Sequence, residues 1–256
     1  MSEQASADQG LSILEHLNEL RVRITWAVAG LALTTLASFA FTEKLLDFLI
    51  SPYDRQLQTL SPTEGLQTYF RVALVSGITL AMPWILYQLW RFIEPGLHPN
   101  EKRYVYVFIP SATILFLAGA AFCWFVLLPS AILFLANFMP TIFSAEWTSQ
   151  EYIGFATSFI VWVGVAFQIP LVIYFLARFG ILSPATLREH WRIAIVGVAI
   201  VAAAVTPSID PVTMILTMIP LFLLYLLSIG LASLGTRQFA ASMALESESA
   251  AESADG

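Results

Sequence analysis

The 256-residue chain is predicted to be an all-α integral membrane protein with six transmembrane helices. Three observations predict this. The chain is 58% hydrophobic and only 12% charged, where a soluble domain carries roughly a quarter charged residues. Its apolar residues fall in long runs, and about 20 of them wound as a helix cross a ~30 Å hydrocarbon core. Strong alternation at a period of two is absent, which argues against a transmembrane barrel.

The elements follow in order. The opening residues 1–10, MSEQASADQG, are polar and slightly acidic, and they predict a disordered lead-in. They contain no basic region feeding a short apolar core, so neither a cleavable signal nor a transit peptide is expected. The membrane domain covers 11–234 and begins with ILEHLNELRVRI, a helix entering span one. Glu15 and Glu19, and Glu19 and Arg23, are four residues apart and so share a helix face. The plain reading of this segment is a solvated helix beside the membrane with one weak ion pair. Its stripe of Ile13, Leu14, Leu17 and Leu20 also suits a helix lying partly in the interface.

The spans are placed at 24–41, 67–92, 104–137, 152–177, 191–205 and 212–234. The third exceeds a perpendicular crossing and should tilt or project from the lipid. Prolines at 83, 110, 129 and 220 interrupt spans two, three and six, and predict bends and a curved bundle. Span four carries Gln168 inside FQIPL, where an amide needs a partner. Pro170 removes a backbone donor and frees a carbonyl one turn earlier. A helix-packing amide, contributing about 1 kcal/mol, and a polar functional cavity both fit Gln168. Span five has 15 residues, or about 22 Å of helix. That is short of the bilayer core, so either the bilayer thins or neighbouring helices shield the polar TPSIDP turn with Thr206, Ser208 and Asp210. The tail, 235–256, is acidic and of low complexity and is expected to be disordered.

Basic residues set the orientation. Nine of the twelve lie before span one, in the second–third and fourth–fifth connections, or after span six. The remaining three, Lys44, Arg55 and Arg71, lie on the other face. The positive-inside rule therefore puts both termini in the cytoplasm, together with the loop EPGLHPNEKR. The acidic tail accounts for most of the net charge of −6, so that charge does not point to nucleic acid. Cys123 is alone, which excludes an internal disulfide and suits a packed core thiol. His16, His98 and His190 stand in three different segments without metal-ligand spacing. No phosphate loop or nucleophile elbow accompanies them, so neither catalysis nor a cofactor is expected.

Several segments, in order, resemble the signatures of the TatC family, the receptor subunit of the twin-arginine protein translocase. They are HLNELRVRI, SPYDRQL, LAMPWILYQLWRFIEPGLHPNEKR, FVLLPSAILFL, FQIPL, ILSPATLREHWRIAIV and TPSIDPVTMILTMIPL. The resemblance runs from about His16 to about Ser233 and covers all six spans. It implies a concave, glove-like six-helix bundle with both termini cytoplasmic, and a bacterial or archaeal plasma membrane fits the missing transit peptide. It also implies recognition of folded cargo by a signal peptide carrying paired arginines, and export driven indirectly by the proton-motive force. Glu19 and Glu101 are implied to bind those arginines, which suits the bidentate pairing of guanidinium with carboxylate.

On the same resemblance, the prolines stiffen the loop that presents Glu101, and Lys102 and Arg103 hold the loop cytoplasmic. Arg21 supports the site. Pro52, Pro95, Tyr87 and Phe92 are implied as structural elements of the receiving face, with Pro52 also in an extracytoplasmic turn. Asp210 is expected to stabilise its own extracytoplasmic turn. Three departures from common family patterns stand out: Gln168 replaces a frequent Glu, Leu226 a frequent acid, and Met214 a frequent glutamine. Docking of the single-span partners, TatA- and TatB-like proteins, would then use Gln168, Thr206 and Thr213. Further copies of the chain are implied partners as well. A secondary transporter is an alternative, but the halves show no internal repeat and mid-membrane ionisable residues are almost absent. A scaffold that merely gathers small membrane proteins is another, and for it Glu19 and Glu101 would be expendable.

Overall fold

In lipid each backbone N–H and C=O must be satisfied within its own segment, so apolar runs of spanning length become helices. The computed structural model describes residues 13–53, 57–94, 105–142, 145–206 and 210–255. Five of its helical stretches are long and apolar enough to cross a membrane: Leu14–Ser38, Glu64–Ile93, Val105–Ala136, Ser149–Arg178 and Pro211–Gln238. The sixth, Trp191–Val205, is the short one, as the sequence predicts. The protein is an all-α, multi-pass membrane protein.

The chain divides into two compact units. The first comprises residues 1–117 and 146–157. It contains α1 (Ile13–Ser38), α2 (Thr42–Ile50), α3 (Glu64–Ile93), most of α4 (Val105–Phe122) and the first turns of α6 (Ser149–Ala166). Between α4 and α6, beyond the π-helical turn Cys123–Leu127, lies α5 (Leu128–Ala136). The helix entering span one is continuous with it through α1. α2 was not expected as a separate helix.

α1 and α3 pack antiparallel. The Thr34 hydroxyl donates to the Gly77 carbonyl at 2.9 Å, and Trp84 Nε1 donates to the Trp26 carbonyl at 2.9 Å. His16 stacks on Phe92 with ring centroids 4.3 Å apart. Positions thus fall along α1 as they rise along α3. The N-terminus of α1 and the C-terminus of α3 form one end of the unit, and α2 leads away from the other.

At that other end a buried carboxylate joins two helix starts. Glu64, 3% exposed, accepts the Leu60 and Ser61 amides on Oε2, at 2.8 and 3.3 Å. Its Oε1 accepts the Ser149 hydroxyl at 3.1 Å and the Gln150 amide at 2.9 Å, at the start of α6. A short parallel bridge between Gln58 and Thr148 runs alongside. Tyr53 packs against both Trp147 and Tyr152, at centroid separations of 4.8 and 5.3 Å. Charge-assisted bonds of this kind are stronger than neutral ones, and deleting the acceptor leaves donors unmatched. Glu64→Ala should therefore speed proteolysis of the 57–64 and 145–149 connections more than Glu64→Gln does. Gln retains one acceptor oxygen, and limited digestion in detergent measures the difference.

The second unit comprises 118–145 and 158–256. It holds the π turn, α5, the remainder of α6, α7 (Ile169–Arg178), α8 (Pro184–Glu189), α9 (Trp191–Val205) and α10 (Pro211–Asp255). Its core gathers Ala166, Ala202, Leu221 and Leu224, with Phe167 and Ile169 packed against them. α10 lies against α7, where Gly235 approaches the Tyr174 carbonyl. It is tied to α8 by the Tyr225 hydroxyl, which donates to the Leu187 carbonyl.

Three local features depart from the expected spans. Span four is broken: α6 ends at Ala166 and α7 begins at Ile169, because Pro170 cannot donate its share of a continuous ladder. Span three contains the π turn, in which the Leu128 amide reaches back to the Cys123 carbonyl. The wider turn sits directly before Pro129, which brings no donor of its own. Cys123 is buried there, as a packed thiol should be. Finally, α10 is helical as far as Asp255, whereas the tail from 235 was expected to be disordered. The run of Ala, Glu, Met and Leu in FAASMALESESAAES explains this, since these are strong helix formers despite the low complexity.

Candidate functional site

The end of the first unit where α1 begins and α3 finishes collects much of the polar chemistry predicted from sequence. Glu19 lies one turn after His16 on α1, and its Oε1 receives Arg23 Nη2 at 3.2 Å. The i,i+4 spacing read from the sequence thus closes into an ion pair. Both side chains are about one-fifth exposed, since α1 presses this face towards α3. Arg21, in the same turn, is exposed.

At the same end of the unit the last turns of α3 and the first of α4 line a cleft of about 620 Å³. Tyr87, Trp90, Arg91 and Glu94 line it from α3's end, and Val105, Tyr106, Ile109 and Pro110 from α4. Trp90 packs on Phe108 at 5.1 Å, which fixes α4 beside α3. Tyr87 contacts Trp84 at 5.6 Å. Phe92 faces away from the cleft, under His16. Arg91 Nη1 lies 3.4 Å from Glu94 Oε2, one helical turn along. Glu94 and Val105, which flank the 95–104 connection, both line this cleft. Pro95, Glu101, Lys102 and Arg103 lie outside the described residues.

Glu19, Arg21, Tyr87 and Phe92 therefore share one end of one unit. Pro52 does not join them. It follows α2 at the opposite end, in the turn where the Tyr53 amide donates to the Ile50 carbonyl at 2.9 Å. Pro52 therefore lies at the end of the unit opposite to Glu19, Tyr87 and Phe92.

The remaining residues belong to the second unit. Gln168 stands at the α6–α7 break, half-buried, and its carbonyl accepts the Val172 amide at 3.0 Å. Thr206 is buried and donates to the Ala202 carbonyl at 2.9 Å. Thr213 is 1% exposed. Both residues are buried within the unit. Asp210 Oδ1 accepts the Thr213 amide at 2.6 Å. That is an N-cap, because it satisfies one of the donors a helix start leaves open. It gives the expected turn-stabilising role a concrete form.

Two acids escaped the sequence reading. Glu64 had a signal, the S-x-x-E spacing of SPTE, which places a carboxylate over the amides of a helix start. Glu94 had one in its i,i+3 spacing from Arg91.

The family described as Sec-independent protein translocase protein (TatC) matches residues 15–220. A TatC of Koribacter versatilis is 36% identical over 235 residues, covering 88% of this chain and 86% of that protein. One from Helicobacter pylori strain J99 is 38% identical over 219 residues, covering 86% and 88%. The chloroplastic TATC of Arabidopsis thaliana is 35% identical, covering 88% of this chain and 67% of its own length. The crystal structure of a twin-arginine translocase receptor, TatC, superposes with a TM-score of 0.77 at 35% identity. It covers 87% of this chain and 100% of the solved one. The family match spans most of the chain and these relatives are more than 30% identical along it, and the chain belongs to the TatC family of Sec-independent protein translocase proteins.

Proposed function

We propose that this protein is the signal-peptide receptor of a twin-arginine translocase, set in a bacterial or archaeal plasma membrane with both termini cytoplasmic. It recognises paired arginines on folded cargo and performs no covalent chemistry. The carrying observation is the partly shielded carboxylate of Glu19, held at the end of the first unit where the 95–104 connection leaves α3 and returns to α4. Glu101 lies in that connection and supplies the second acid. Separate carboxylates each take one guanidinium fork, a geometry an ammonium cannot reproduce. The basic-residue split supports the orientation, because it places this end on the inner face.

Once engaged, the receptor gathers TatA- and TatB-like single-span proteins, and copies of itself, for export driven by the proton-motive force. Of the polar groups suggested for docking, Gln168 is the one not fully enclosed, and exposed Leu226 on α10 offers an apolar neighbour in the same unit. An amide does not titrate, so no proton passes through residue 168 itself.

Photo-cross-linking of a twin-arginine signal peptide to the full chain in membranes tests the reading. Losing a charge-assisted bond costs about 1.5–3 kcal/mol, so Glu101→Gln should cut the yield at subsaturating peptide roughly tenfold or more. A signal bearing two lysines should cross-link as poorly to the unaltered protein. Undiminished cross-linking to Glu101→Gln would favour the scaffold reading, in which these acids are expendable.

A further inference from the structure

The cleft between α3 and α4 holds an acid to which no role has been given. Glu94 lies on its wall, with its side chain 25% exposed and the Arg91 guanidinium 3.4 Å away. An i,i+3 pair with one partly shielded and one exposed member is weak and readily exchanged. The space around it is larger than a surface pair needs, about 620 Å³, and is walled by Tyr87, Trp90 and Tyr106. Tyr106 is 83% exposed and leaves its ring open to a ligand. Aromatic faces beside a carboxylate make a good seat for a guanidinium, which stacks in its plane and forks at its edge.

The arrangement repeats that of Glu19, whose carboxylate is also matched by an arginine of its own helix, Arg23 at 3.2 Å. At this end of the unit, two acids on two helices each carry an internal arginine. A lone carboxylate in a partly dry site would be costly, and an internal cation relieves that cost until a better one arrives.

We propose that Glu94 is a further peptide-binding carboxylate of this receptor, and that Arg91 occupies it as an internal competitor. An arginine of the signal peptide enters the Tyr87–Trp90–Tyr106 cleft, takes over Glu94 and releases Arg91 to solvent. The inference rests on the receptor reading above and adds a residue and a specificity rule to it. A ligand arginine gains both the carboxylate and the aromatic walls. A lysine gains only the charge, so it displaces Arg91 poorly.

The test measures binding of a fluorescent twin-arginine signal peptide, and its twin-lysine counterpart, to the full chain in nanodiscs by anisotropy. Glu94→Gln should weaken the arginine peptide about tenfold, the loss of one charge-assisted bond. Arg91→Gln should tighten it several-fold, and the double variant should show no gain over Glu94→Gln. Opposite signs from two members of one ion pair are what a merely structural pair would not give. A photo-reactive residue at Tyr106 should label the bound arginine peptide, which checks occupancy of the cleft independently of either substitution.

Weaker or unchanged binding to Arg91→Gln would overturn the competitor role. No label from position 106, with wild-type binding intact, would overturn the cleft as a binding site. Failure of the wild-type chain to prefer arginine over lysine would instead sink the receptor reading itself, so the two failures are distinguishable.

Discussion

Gly77→Ala is expected to destabilise the first unit by about 3 kcal/mol, the upper part of the range for overpacking a well-filled contact. A Cβ added at Gly77 would stand 2.3 Å from Thr35 Oγ1, 2.7 Å from Thr35 Cα and 2.9 Å from Thr35 N. Two of these three atoms are backbone, so no rotamer change relieves the clash. α1 would have to retreat from α3, stretching the 2.9 Å bond from Thr34 to the Gly77 carbonyl. Small residues at such crossings let helices approach closely where lipid supplies little drive for association. Gly65→Ala on the same helix is the matched control, since nothing lies within 4 Å of its added Cβ. That variant should be neutral or more stable by up to about 1 kcal/mol, the helix-propensity gain alone. Thermal unfolding in detergent separates the two. Equal midpoints would mean that α1 and α3 do not meet at Gly77. Because this crossing sets the level of Glu19 against the last turns of α3, the receptor reading proposed above expects peptide binding to fall along with stability.

The second large effect is expected at Gly235→Ala in the other unit, at about 2–3 kcal/mol. The added Cβ would come 2.7 Å from the Tyr174 carbonyl oxygen and 3.0 Å from the Arg178 amide nitrogen, both backbone atoms of α7. The same interface carries the bond from the Tyr174 hydroxyl to Gln238 Oε1, at 2.8 Å. Forcing α10 away from α7 would lengthen it. Gly230, on the same helix, has nothing within 4 Å of an added Cβ, so Gly230→Ala should not destabilise. A Gly235→Ala protein with an unaltered midpoint would show that α7 and α10 separate without cost. Both comparisons ask the same physical question. One methyl group is harmless on an open helix face and disruptive where the opposing surface is main chain.

On the receptor reading proposed above, the receiving end of the first unit would present matched charges, not bare acids. Glu19 and Glu94 each hold an arginine, so on that reading an incoming guanidinium would have to do better than a cation already present. That condition favours planar, bidentate, stackable arginine over lysine. Discrimination then arises from competition as well as attraction, a common way of obtaining specificity from weak contacts.

How far the chain could be read beforehand varied by residue. The Glu19–Arg23 pair was legible because i,i+4 neighbours meet on any helix. The shortness of the fifth span was legible because length and hydrophobicity are counted along the chain. Pro170 announced a disturbance, and the structure shows its form, a break at 167–168 that leaves Gln168 at a helix start. Less legible were contacts between segments far apart in sequence. Nothing near Thr213 or Thr206 indicates that both are buried. Nothing in SPTE names Ser149 and Gln150 as the other partners of Glu64. The helicity beyond 234 went unread because acidic low complexity and high helix propensity coexist in the same residues.

The amino-acid sequence by itself determined the class, the approximate positions of the spans, the charge asymmetry and the family. These depend on local length, periodicity and short motifs, which survive without knowledge of any distant neighbour. Only the tertiary structure decided which polar groups share an end, which glycines face main chain, and which acids already hold a cation. Each of those depends on helices meeting across long stretches of chain. A side chain's partner there is set by how two packed surfaces align, not by the residues beside it in sequence.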